Sequence, residues 1–166
     1  MSRSYIVEVY KTKAVEVLEL QNSHGSKPMA WTYLLEKLFP NKEMHWFQQK
    51  DLGLLYSKGN EPTLPTHYKA ALFFSGWRTC VLVKHLAEFT KDIRQFSNEV
   101  TPYLEKKSYV NHWAAIATFL ENYKPNKRLV GLALHGTSVD DEWEINPSKE
   151  DVLYSTDLST PTEKAE

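Results

Sequence analysis

Leu86, Phe89, Ile93, Phe96 and Val100 recur at helical spacing. At 100° per residue they fall within about 80° of arc. A helix this one-sided has to bury its stripe against a second layer, so the chain must build a packed, layered architecture around it. The helix is predicted to stop before Pro102, because a proline ring disfavours helical geometry at the preceding residue. Tyr109, Val110, Trp113, Ile116, Ala117, Leu120 and Tyr123 trace a second amphipathic helix, with a wider apolar face and a stop at Pro125. A wider stripe means deeper burial.

The remaining periodic segments decide what that second layer is. Tyr5 to Tyr10 and Ala14 to Leu20 are rich in β-branched residues with partial alternation, which predicts two strands joined by a hairpin at Lys11-Thr12-Lys13. Ser26 is placed to cap a helix over 27–39, with Pro28 in its first turn, Trp31, Leu34, Leu35 and Leu38 on one face, and Pro40-Asn41 ending it. Residues 43–58 fit neither period, and Gly59 to His67, with Pro62 and Pro65, reads as loop. Tyr68 to Phe74 and Trp77 to Val83 are apolar, β-rich runs separated by Ser75-Gly76, a dipeptide suited to a hairpin turn. Leu129 to Leu134 has the length and continuity of a central strand, which Gly131 weakens. These elements predict an α+β fold: a single compact domain, mainly antiparallel sheet, with three or so helices on one face, in the order ββα-x-ββααβ.

Composition is consistent with one core. The 166 residues are 42% hydrophobic and 13% aromatic, enough to bury about two-thirds of the unfolded surface. The charge is divided unevenly. Residues 140–166 hold nine acids against two lysines, a net of −7, whereas residues 1–139 hold 18 Lys and Arg against 12 Asp and Glu, a net of +6. The expected organisation is a compact domain over 1–139 and an acidic, partly disordered C-terminal extension over 140–166. Cys80, the single cysteine, forbids an intramolecular disulfide, and its apolar run Cys80-Val81-Leu82-Val83 predicts a buried, reduced thiol in a cytoplasmic protein. Met1 to Tyr5 leads directly into charged sequence, unlike a secretory signal, and the longest apolar stretches, such as Trp113 to Leu120, fall far short of the roughly 20 residues that span a bilayer.

Three constellations bear on function. His24-Gly25-Ser26 and His135-Gly136-Thr137 form a repeated His-Gly-hydroxyl triplet. The pair resembles the His-x-Ser/Thr signature of two-histidine phosphoesterases, which implies two imidazoles as acid and base with hydroxyls on the phosphate oxygens. The second triplet follows a predicted strand as that signature does, but the first sits in a turn before a helix; both also fit glycine turns with solvent-facing histidines. Ser23 to Lys27 precedes a helix N-terminus but lacks the glycine-rich length of a phosphate-binding loop. The other histidines, His45, His67, His85 and His112, have no ligand spacing, so no metal is predicted, and His85 and His112 read as surface or edge residues.

Basic residues cluster as Arg78 with Lys84, Lys91 with Arg94, Lys106 with Lys107, and Lys124 with Lys127 and Arg128. Lys84, Lys91 and Arg94 share the polar side of the first amphipathic helix, and with Arg78 and the rings of Trp77 and Tyr123, which could stack on bases, they compose a candidate binding face; Glu88, Asp92 and Glu99 dilute its field. Trp143 in the acidic segment is a candidate contact for a partner protein. The first expectation is a small accessory protein, without cofactor, that acts through protein–protein contacts, since the chain lacks a convincing nucleophile–base pair, metal set or phosphate loop. The alternatives are a phosphoesterase-like enzyme using His24 and His135 with Ser26 and Thr137, and a nucleic-acid binder acting through the basic face.

Overall fold

The computed structural model describes residues 2–11, 13–22, 26–40, 49–76 and 79–138. β1 (Ser2–Val9) and β2 (Ala14–Asn22) form the predicted antiparallel hairpin, closed by a bond from the Tyr10 amide to the Lys13 carbonyl at 2.8 Å. Ile6 pairs with Leu18 but Val7 with Glu16, so Val17 is an extra residue in β2 and the edge bulges there. β4 (Gly131–Ser138) runs antiparallel to β1 along its length, and a short β3 (Val81–Leu82) pairs with the start of β4. The sheet order is β2-β1-β4-β3. Gly131, which sequence alone reads as a weakness in the strand, lets β3 close: a Cβ there would lie 2.2 Å from the Val81 carbonyl oxygen and 2.7 Å from Cys80 Sγ.

Among the described residues five α-helices, more than the three or so expected, complete one α+β domain. α1 (Ser26–Leu38) matches its predicted span, and α2 (Gln49–Gly59) assigns part of the ambiguous middle to helix. α3 (Thr66–Phe74) overturns the predicted strand at Tyr68 to Phe74, and with it the hairpin. Every residue from His67 to Phe74 is buried, so the segment carries no amphipathic period to distinguish helix from strand. Ser75-Gly76 is the C-terminal turn of that helix, with the Ser75 amide on the Ala71 carbonyl at 3.0 Å.

α4 (Leu86–Lys106), entered through a 3₁₀ turn at Val83–His85, carries the one-sided stripe and continues past Pro102. Proline there removes the bond to the Asn98 carbonyl, but Asn98 is at an exposed position and the fully buried Leu104 anchors the last turn. Ser108, at φ 59°, ends the helix in a left-handed cap: the Tyr109 amide bonds the Leu104 carbonyl at 2.9 Å and the Ser108 amide that of Glu105 at 3.0 Å. α5 (His112–Asn122) is capped by Asn111, whose Oδ1 accepts from the Ala114 amide at 3.0 Å.

The core joins the helices to one face of the sheet, with Ile6, Leu132 and Leu134 packed among Phe89, Phe96, Trp113 and Ile116. Val7, Val9, Ala133 and Cys80 make a separate cluster on the opposite face. Cys80 is buried and free, as expected, and burial pushes its thiol pKa up. Glu99 ties α1, α3 and α4 together, accepting from the hydroxyls of Tyr33 (2.6 Å) and Tyr68, with His67 Nε2 at 3.1 Å. Burial pushes its carboxyl up, but those hydrogen bonds together outweigh burial and hold it below its ordinary value. Among the described residues no helix is long and apolar enough to cross a membrane.

Candidate nucleic-acid interface

The β1–β2 hairpin and the link from α5 to β4 meet at one end of the sheet because Val9 pairs with Gly131 and the Val130 amide bonds the Val9 carbonyl at 2.9 Å. Between them lies a groove of about 740 Å³, lined by Tyr10, Lys11, Lys13, Asn126, Lys127, Arg128 and Val130. Lys11, Lys13, Lys127 and Arg128 are all exposed, and no carboxylate lines the groove among the described residues. Converging cations inside a concavity focus a positive field on any anion that enters it.

Hydrogen bonds organise the Asn126 side of this groove. Asn126 Oδ1 accepts from the Arg128 amide at 2.9 Å, a side-chain turn that projects Lys127 and Arg128 outward. The Asn126 amide group donates to the Tyr10 hydroxyl at 2.7 Å, and that hydroxyl donates to Glu8 Oε1 at 2.9 Å. The Tyr123 hydroxyl donates to the other oxygen of the same carboxylate. Burial, and then the Glu8 carboxylate, pushes the Tyr123 phenol above its ordinary value, so it stays a donor. Lys13 Nζ sits 5.3 Å from the centre of the Tyr10 ring, within cation–π range.

This site differs from the face expected on the first amphipathic helix. Lys84 and Lys91 are exposed there, but Arg94 is held by Glu121, with Nε at 3.0 Å and Nη2 at 2.6 Å from its two oxygens, and by Thr118 at 3.0 Å. The fork-to-carboxylate geometry ties α4 to α5 and quenches the charge. Trp77, Arg78 and Trp143 lie outside the described residues. The Lys127-Arg128 pair is visible in the sequence. Its meeting with Lys11 and Lys13, more than a hundred residues earlier, is not, and the Lys-Thr-Lys tip of a predicted hairpin is the only signal that pointed there.

The histidine triplets lead elsewhere. His24 lies outside the described residues, and Thr137 stands on β4 opposite Arg3. His135 is not solvent-facing: it is buried within β4, and burial, followed by the charge of Lys27, pushes its imidazole down to about 4. Ser26 does not use its hydroxyl to cap its own helix. Ser26 Oγ shares a 2.8 Å hydrogen bond with Nδ1 of His112, which is 2% exposed rather than on the surface, and Trp113 Nε1 donates to the Ser26 carbonyl at 2.9 Å. Lys27 is buried as well and donates to the Gly76 carbonyl at 3.1 Å. Ser26, Lys27, His112 and His135 thus form a polar layer beneath the start of α1, closed to a substrate. Ser26 with His112 has the spacing of a nucleophile–base pair, but both are out of reach of solvent.

No group of three or more His, Cys, Asp or Glu among the described residues is placed to hold a metal. No protein family matches the chain, and neither does any curated protein or solved structure.

Proposed function

We propose that this is a non-catalytic binding protein whose ligand is nucleic acid, held by its phosphates in the groove between the β1–β2 hairpin and the α5–β4 link. The observation that carries this reading is the convergence of Lys11, Lys13, Lys127 and Arg128, with Tyr10 and Asn126, in one concavity free of acids among its described lining residues. Phosphate neutralisation by lysine and arginine needs no preset sequence and supplies most of the affinity of non-specific binders. A reducing, cytoplasmic compartment belongs to the same proposal and is supported by the free, buried Cys80.

The reading is tested by fluorescence anisotropy of a labelled 20-nucleotide oligonucleotide across a salt series. Four phosphate contacts predict a slope of log K against log salt of about −3. Lys11→Glu combined with Arg128→Glu, both at exposed positions, is expected to weaken binding on the order of tenfold or more. Ending the chain at Val139 removes a segment of net charge −7 and is expected to strengthen binding at low salt, because a tethered polyanion competes at about millimolar effective concentration. Binding that ignores both salt and the double charge reversal would refute the proposal, and so would failure of the oligonucleotide to bind while an acidic protein does.

A further inference from the structure

The outward half of α5 offers a second depression beside the basic groove. Ala114, Ala115, Thr118, Phe119, Asn122 and Tyr123, with Leu18 of β2 and Lys124, enclose a shallow shelf of about 650 Å³. Trp113, Ile116, Ala117 and Leu120 anchor α5 in the core from the other side of the helix, whereas Leu18, Phe119 and Tyr123 are only partly buried, packing against the edge of that core and bordering the shelf. Small side chains at 114 and 115 leave an open floor. Phe119 and Tyr123 border it with ring centres 5.4 Å apart and planes inclined by 32°.

Shelf and groove share a wall. Tyr123 borders the shelf, Tyr10 borders the groove, and their hydroxyls bond the two oxygens of one carboxylate, Glu8. The chain runs from the shelf at Asn122 to Lys124 into the groove at Asn126 to Arg128, so Lys124 stands between the two. The Glu8 bond also holds the Tyr123 phenol in place before any ligand arrives, which lowers the entropy lost on stacking.

Resting on the reading of the groove as a phosphate site, we infer that the ligand is single-stranded nucleic acid, with its phosphates on Lys11, Lys13, Lys127 and Arg128 and a base laid on the shelf against Phe119 and Tyr123. An aromatic platform next to a cationic track is the arrangement that unpaired bases use, since every base has a π face to stack. A duplex keeps those faces inside its own stack and presents only its edges and phosphates. The shelf therefore favours the open strand.

The test compares three ligands by anisotropy or competition: a labelled single-stranded oligothymidine, a duplex of equal length, and inorganic polyphosphate, which carries charge without bases. The wild-type protein is expected to bind the single strand more tightly than the duplex. Phe119→Ala is expected to weaken oligothymidine binding about tenfold and to leave polyphosphate binding unchanged. Phe119→Tyr, which keeps a ring, is expected to retain it, and this variant separates loss of the platform from loss of the fold. Oligothymidine binding unchanged in Phe119→Ala, with polyphosphate still bound, would overturn the inference while leaving the groove intact; an equal loss for both ligands would also overturn it, because the ring would then not be acting on a base. Loss of salt-dependent binding to all three ligands would instead remove the groove reading beneath it.

Discussion

Replacing Lys27 by methionine probes the polar layer under α1, because it keeps the length of the side chain and removes its charge. Burial pushes the Lys27 amine from 10.5 down to about 8. At about 1.4 kcal/mol per pKa unit, the folded state below pH 8 therefore carries a penalty on the order of 3 kcal/mol. The sign follows from proton binding. Below pH 8 both folded and unfolded chains hold the proton and the penalty is complete; between pH 8 and 10.5 the unfolded chain retains a proton that the folded chain has released, so stability rises with pH; above 10.5 the penalty is gone. Against this stands the hydrogen bond from Lys27 to the Gly76 carbonyl, a bond from a charged donor, whose loss costs about 1.5–3 kcal/mol. Lys27→Met is therefore expected to equal or exceed the wild type by about 1 kcal/mol at pH 7 and to fall below it by about 2 kcal/mol at pH 10.5. Urea unfolding of both proteins at the two pH values gives the difference, in which tyrosine ionisation cancels. The same substitution lifts the Lys27 charge from His135, whose imidazole should rise from about 4 but stay below 6.5, since burial is the larger cause. An unfolding difference that is the same at both pH values would refute the assignment of Lys27 as an amine whose charge burial disfavours.

Two backbone predictions concern stability alone. Gly131→Ala places a methyl group 2.2 Å from the Val81 oxygen, a backbone atom that cannot swing aside, so the variant is expected to lose about 3 kcal/mol and to show a lower thermal midpoint. Ser108→Gly relieves a left-handed residue at an exposed helix cap and is expected to add about 1 kcal/mol in denaturant unfolding; no gain would show that the cap carries no strain.

Legibility of the fold followed the strength of the local period. The β1–β2 hairpin and α1 are visible through partial alternation and helical spacing, and β4 through the strand-like length of its apolar run, although Leu132 and Leu134 on one face and Ala133 on the other are all buried. α3 is not, because a helix buried on all sides and a strand buried on both faces write the same apolar run. The end of α4 was misplaced by Pro102, a local rule that yields when the residue beyond it, Leu104, is anchored in the core. At the candidate site, the cations were individually visible but their grouping was not. Arg94 reads as an available charge until Glu121, on the next helix, is seen to hold it.

What the sequence by itself determined is the class of the fold, the exclusion of a disulfide framework, and the division into a basic body and an acidic C-terminal segment, since each depends on composition or on short-range periodicity. Only the tertiary structure decided which charges act together. Antiparallel pairing of β1 with β4 brings Lys11 and Lys13 to Lys127 and Arg128, and the meeting of the first residues of α1 and α5 closes Ser26 and His112 away from solvent. Electrostatic function depends on distance in space and on burial, and both are set by long-range register rather than by any residue's neighbours in the chain.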